Sequence, residues 1–272
     1  MTESVRLVRV GGRRLRIRRG GAGPPVVLLN GIAGSPATWK PLERYLDGFE
    51  CIELALPGRP DGIAWQPVLT MAGFAALVSD ALDELGIDRA HVVGFSFGGM
   101  VAQQLAYDAP DRVRGLVLVS TICGLGAVPS DPLSWWKAIQ EDALPAPLGL
   151  APQWLAWQWF RAARREFGVS WSHGVRPDEL VQRVTATSLW SSLPWLPRLS
   201  QEALVITGTA DAVAPPENAD IVASRMPRAR TYRVRGGGHF CLLDRVAEVG
   251  PVIANFLRSS EPTSGDETLE FC

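Results

Sequence analysis

Residues 90–99 read Ala90-His91-Val92-Val93-Gly94-Phe95-Ser96-Phe97-Gly98-Gly99. The run His91-Val92-Val93 predicts a strand, and Gly94-Phe95-Ser96-Phe97-Gly98 predicts a tight turn that presents one serine at the start of a helix. A serine hydroxyl is a weak nucleophile unless it is held exposed and given a base. The flanking glycines let the backbone turn without Cβ clashes. This stretch sits within an alternation of strands and helices, and such alternation implies a mostly parallel sheet with helices on both faces.

Outward from the elbow, the chain alternates strand and helix. Before it, residues 26–29 form a continuous apolar run after Pro24-Pro25, as expected for a buried parallel strand. A loop through Asn30-Gly31-Ile32-Ala33-Gly34 follows, then a short helix over 38–46 and a strand over 49–54. Thr70 is placed to cap a helix whose Phe74, Leu77, Val78, Ala81, Leu82 and Leu85 fall on one stripe. At the N-terminus, residues 5–10 and 13–18 joined by Gly11-Gly12 predict a hairpin rich in arginine. Charge on such an edge blocks aggregation; a docking patch for an acidic partner or a granule surface is the alternative. After the elbow helix over 97–107, residues 113–120 form another apolar strand, and the alternation then stops. It resumes with a strand over 203–207, a helix over 216–224, a strand over 229–234 and a helix over 242–257. The expectation is an eight-stranded, mostly parallel sheet. The core covers 1–123 and 199–258, a helical cap over 124–198 follows the sixth strand, and 259–272 is a loose tail.

Composition bounds the function. The chain has 272 residues, 47% hydrophobic and 20% charged, which is material for one large α/β domain. Its formal net charge of −1 supplies no overall field for nucleic acid or an anionic membrane. Cys51, Cys123, Cys241 and Cys272 are too scattered for a metal site or a disulfide framework and read as free thiols. Met1-Thr2-Glu3-Ser4 leads directly into Val/Arg alternation rather than a signal-peptide run, and no stretch approaches the roughly 18 apolar residues of a span. A cytoplasmic protein without integral membrane association is expected.

Two polar groups follow strands as the serine does. Asp211 lies beyond strand 203–207, and His239 lies beyond strand 229–234 in Gly236-Gly237-Gly238-His239-Phe240. In open α/β sheets functional groups gather at the carboxyl ends of the strands. The order Ser96, Asp211, His239 is that of a nucleophile–acid–base set on this architecture. His239 would take the serine proton, and Asp211 would fix the imidazole tautomer. The glycines before His239 suggest a loop free to aim the ring. His91, inside the elbow strand, and His173, inside the inserted segment, read as structural. The other acid position, just after strand 113–120, offers no carboxylate until Asp131. Two backbone N–H groups are needed for an oxyanion, and position nominates Phe97 and Ile32, with Ala33 second.

These residues together resemble the α/β-hydrolase superfamily over nearly the whole chain. Within it the sequence is most similar to intracellular depolymerases of medium-chain-length polyhydroxyalkanoates and related bacterial hydrolases. The similar stretches are Asn30-Gly31-Ile32, Phe97-Gly98-Gly99 with Ala102-Gln103-Gln104, residues 114–119, and Gly238-His239-Phe240 with Leu242-Leu243. Many members carry His-Gly where Asn30-Gly31 stands, the depolymerases carry Trp where Phe97 stands, and the usual Asp-x-Pro-Gly appears as Ala55-Leu56-Pro57-Gly58.

The resemblance implies that the inserted segment is a lid. It holds eight of the ten tryptophans, more than packing one small subdomain requires. Trp135, Trp154, Trp157, Phe160 and Trp190 are therefore expected to line an apolar substrate pocket. The expected function is a serine esterase acting on a hydrophobic ester, a 3-hydroxyalkanoate ester or polyester among the candidates. No metal or organic cofactor is implied. The same three residues also serve perhydrolysis, C–C bond hydrolysis, thioester cleavage or acyl transfer in relatives, and a non-catalytic binding scaffold is the third class. The expected partner is a small or oligomeric ester, with no nucleic acid and with room for a homodimer.

Overall fold

A computed structural model describes residues 4–32, 38–56, 69–130 and 177–261. The strands are β1 (Ser4–Val10), β2 (Arg13–Gly21), β3 (Pro25–Leu29), β4 (Glu50–Ala55), β5 (Ala90–Phe95), β6 (Val113–Val119), β7 (Glu202–Gly208) and β8 (Ala229–Val234). They form one sheet in the order β1-β2-β4-β3-β5-β6-β7-β8. The β1–β2 and β2–β4 pairs are antiparallel and the rest are parallel. The expected eight strands and their mostly parallel arrangement are present.

The helices are α1 (Lys40–Glu43), α2 (Met71–Glu84), α3 (Phe97–Asp108), α4 (Pro177–Ser188), α5 (Glu217–Arg225), α6 (Cys241–Asp244) and α7 (Val246–Ser259). Alternate residues of the central strands feed two apolar layers. Val27, Leu29, Val92, Leu116 and Leu118 pack with α2, α3 and α5. Val26, Leu28, Val93, Val117 and Val119 pack with α1 and α7. This two-sided burial is why these strands read as unbroken apolar runs. Thr70 caps α2 by accepting the Gly73 N–H at 3.1 Å. Two expected helices differ in extent. The one expected over 38–46 is a single turn, and the last breaks at Arg245 into α6 and α7.

The segment expected as a cap is described only at its two ends. There Gly124 bridges Ser191 in antiparallel fashion, and the Leu125 N–H donates to the Trp190 carbonyl at 2.8 Å. The chain therefore leaves and re-enters the core at one point. Among the described residues no helix is long and apolar enough to cross a membrane.

His91 is completely buried in β5, with Nε2 2.5 Å from Glu261, which also pairs with Arg114 at 2.6 Å. Burial holds the imidazole below its usual value, against the pull of Glu261 and with the help of Arg114 and Arg89. The unfolded chain, with histidine near pKa ~6.5, takes up the proton first. This contribution to stability is complete above about pH 6.5 and is lost as pH falls toward the lowered folded value. The urea midpoint should therefore drop between pH 7.5 and 5.5, and drop less in His91→Gln; equal drops would assign the effect to other groups.

Candidate active site

The parallel strands bring their carboxyl ends to one rim. β5 runs into Ser96, β7 into Asp211, β8 into His239 and β3 into Ile32. Ser96 sits between β5 and α3 with φ 52° and ψ −114°. That conformation costs a non-glycine residue about 1–3 kcal/mol and persists only where its surroundings impose it. Here the Ser96 N–H donates to the Val119 carbonyl at 2.9 Å. The Ser96 carbonyl accepts from Thr121 Oγ1 at 2.7 Å and from the Gly99 N–H at 2.9 Å.

The motif glycines are sites of close approach. A Cβ on Gly94 would lie 2.5 Å from the Gly98 carbonyl oxygen, and one on Gly98 would lie 2.0 Å from that of Leu29. One on Gly99 would lie 2.6 Å from Thr121 Cβ. The elbow thus depends on β3, β5, β6 and α3 packing backbone to backbone.

Three side chains separated by up to 143 positions meet here. His239 Nε2 lies 3.2 Å from Ser96 Oγ. His239 Nδ1 lies 2.9 Å from Asp211 Oδ2 and 3.1 Å from Oδ1. Asp211 Oδ1 also accepts the backbone N–H groups of Val213 at 2.9 Å and Ala214 at 2.8 Å. An acceptor-only carboxylate facing Nδ1 requires a proton on that nitrogen, which leaves Nε2 to accept from the serine hydroxyl. Asp211 is 3% exposed and His239 6%, whereas Ser96 is partly exposed, so the hydroxyl is the accessible end of the line.

The histidine loop is not free to aim its ring, contrary to the expectation drawn from its glycines. The Ala210 N–H donates to the Gly237 carbonyl, and the Gly236 N–H donates to Thr209 Oγ1 at 2.8 Å. A Cβ on Gly208 would lie 2.1 Å from the Gly237 carbonyl oxygen. The glycines permit close packing of the loops after β7 and β8. The His239 ring rests against Phe95 with centroids 5.3 Å apart.

Phe97 opens α3, but its side chain points away from the rim. It is buried in the α2–α3 layer with its ring edge-on to Phe74 at 5.2 Å. Only its backbone N–H, at the positive end of α3, faces the start of the helix. Gly31, which precedes Ile32, lies beside Ser96: a Cβ on it would come 3.5 Å from Ser96 Cβ. Trp190 is engaged in packing, donating its indole N–H to Gln104 at 2.6 Å and meeting Trp195 at 6.0 Å. Trp135, Trp154, Trp157 and Phe160, like Ala33, lie outside the described residues.

Some supporting residues carried no sequence signal. Asn30 donates to Glu53 at 3.1 Å, and Glu53 pairs with Arg18 at 2.9 Å. Glu53 stands one pleat before Ala55, where the resemblance expects an aspartate, so a carboxylate still anchors the loop after β3. Burial pulls the Arg18 guanidinium down, but Glu43 and Glu53 outweigh it and hold it firmly charged. Burial pushes the Glu53 carboxyl up against the pull of Arg18. Near the rim, burial pushes the Cys241 thiol up to about 11, so it is no competing nucleophile.

A family model described as the alpha/beta hydrolase fold matches residues 24–246. The poly(3-hydroxyalkanoate) depolymerase of Ectopseudomonas oleovorans is 29% identical over 243 residues, covering 86% of this chain and 84% of its own. The polyketide synthase ThaQ of Burkholderia thailandensis is 33% identical over 280 residues, covering 95% of this chain but 12% of that much longer protein. Among solved structures, the enol-lactonase from Burkholderia xenovorans LB400 superposes with a TM-score of 0.74 at 22% identity, covering 93% of this chain and 100% of that one.

Proposed function

The chain belongs to the α/β-hydrolase fold family, and we propose that it is a serine hydrolase that cleaves an ester or related acyl bond through an acyl-enzyme on Ser96. The observation that carries this reading is the hydrogen-bonded line from Ser96 Oγ to His239 Nε2 at 3.2 Å and on from Nδ1 to Asp211 at 2.9 Å. Ser96 Oγ attacks the acyl carbon while His239 Nε2 takes its proton. The N–H groups of Phe97 and Ile32 receive the oxyanion. The imidazolium, stabilised by Asp211, protonates the leaving group, and a water activated by the same nitrogen releases the acid.

We assign the segment between β6 and β7 the role of a cap, whose aromatic residues would give the acyl group an apolar seat. The similarity to a poly(3-hydroxyalkanoate) depolymerase supports a 3-hydroxyacyl ester or its oligomer as the substrate class. Each methylene buried in the seat contributes about 0.8 kcal/mol, roughly fourfold in kcat/KM. Turnover of p-nitrophenyl esters should climb from acetate toward octanoate; acetate as the best substrate contradicts the apolar seat. A fluorophosphonate tests the nucleophile. Wild type labels on Ser96 and Ser96→Ala does not; an unlabelled wild type contradicts the proposal. Asp211→Asn, which removes the partner that fixes the tautomer, lowers kcat by about 10³–10⁴-fold; full activity would place the acid elsewhere.

A second reading keeps the acyl-enzyme and changes its fate. The likeness of most of this chain to a segment of a polyketide synthase favours release or transfer of an acyl group from a biosynthetic thioester. A thioester consumed faster than the matching oxygen ester, with transfer to an added alcohol or amine, decides for it.

A further inference from the structure

Arg183 stands apart from the three residues above yet reaches the backbone beneath them. It belongs to α4, between β6 and β7, and is 6% exposed. Its Nη1 donates to the Ile32 carbonyl at 2.5 Å, and its Nη2 donates to the Leu56 carbonyl at 2.7 Å. Ile32 follows β3 and Leu56 follows β4, and these strands are neighbours in the sheet. One guanidinium therefore ties together the loops leaving two adjacent strands and binds both to a helix outside the sheet.

The loop it grips needs such a tie. Gly31 has no Cβ to restrict its backbone, so the orientation of the peptide between Gly31 and Ile32 must be fixed by contacts around it. Only one orientation aims the Ile32 N–H at the acyl oxygen. Ahead of Gly31, Asn30 is anchored through Glu53 to Arg18. Behind it, the grip on the Ile32 carbonyl restrains the next peptide plane. A planar fork can serve two carbonyls at once, whereas an ammonium is a single compact charge.

Resting on the serine-hydrolase reading above, we infer that Arg183 is a positioning residue for the oxyanion-binding loop, holding Ile32 in its donating orientation and making that orientation depend on the seating of α4. Arg183 touches no reacting atom. It acts on the hole through the backbone and couples it to α4.

The test uses the full-length protein, a soluble p-nitrophenyl ester and a trifluoromethyl ketone, whose hemiketal oxygen occupies the oxyanion hole. Arg183→Met should lower kcat by about 10–100-fold, less than loss of a donor itself, with KM little changed. The ketone's inhibition constant should rise in step with the loss of kcat/KM. Arg183→Lys should fall between wild type and Arg183→Met, and added methylguanidinium should restore part of kcat to Arg183→Ala. Wild-type kcat in Arg183→Met, or a raised KM at unchanged kcat, overturns the inference. Should Arg183→Met not fold, Arg183→Lys decides: an inhibition constant equal to wild type overturns the inference, and a raised one supports it. Fluorophosphonate separates the two levels. A wild type that does not label on Ser96 removes the hydrolase reading itself, whereas equal labelling rates in wild type and Arg183→Met remove only the role of Arg183.

Discussion

Ser96→Ala and His239→Ala each lower kcat by about 10⁴-fold or more, and the double variant is no worse than either single one. The size follows from geometry. Without the hydroxyl there is no acyl acceptor within reach of the imidazole. Without the imidazole, the hydroxyl 3.2 Å away keeps its proton and stays a poor nucleophile. Because the two act as one device, their losses do not add. Neither change should disturb the fold, since Ser96 packs through its backbone and His239 sits on a loop tied by main-chain bonds. KM for the remaining activity should change little. An additive double variant, or substantial activity in either single one, would mean that the two do not work together.

Gly98→Ala has the second large effect, and it acts first on stability. Its Cβ would meet the Leu29 carbonyl at 2.0 Å for oxygen and 2.4 Å for carbon, and the Asn30 oxygen at 2.7 Å. These are backbone atoms of a buried central strand, so no side chain can swing aside. α3 must separate from β3, at a cost of about 3 kcal/mol or more. In a chain of this size that lowers Tm by about 6–12 °C. The displaced atoms lead directly into the loop that carries Ile32, so kcat falls as well. Gly20→Ala is the control. Nothing lies within 4 Å of its Cβ, and its stability should stay within about 0.5 kcal/mol of wild type. Thermal unfolding of the two variants side by side checks the contrast; equal shifts would mean that the elbow tolerates a methyl group.

All eight strands could be read from sequence, the exposed edge strands β1 and β8 among them. β3, β5, β6 and β7 lie between two helical layers, and each carries a continuous apolar stretch, with His91, Arg114 and Glu202 confined to the starts of β5, β6 and β7. Asp211 and His239 were legible because each stands beyond the carboxyl end of a strand, Asp211 after β7 and His239 after the edge strand β8. What could not be read depends on distant contacts. The glycines before His239 suggested freedom, but they serve close packing against the turn after β7, a partner about thirty positions upstream. Phe97 stands where the resemblance expects tryptophan, and its environment is the α2–α3 interface rather than the pocket. Glu53 takes up an anchoring task one pleat away from its expected place. Arg183 lies in the segment expected as a helical cap, and only the three-dimensional path from α4 to the Ile32 carbonyl distinguishes it from other arginines nearby.

The most direct test of the acyl-enzyme is to catch it. A p-nitrophenyl ester is mixed with enzyme, quenched in acid within the first turnovers, and the tryptic peptide spanning residues 90–112 is weighed. The mass of the acyl group carried on Ser96, appearing and decaying at the rate of turnover, is the predicted result. Turnover with that peptide never acylated, or with the acyl group on another residue, would contradict it.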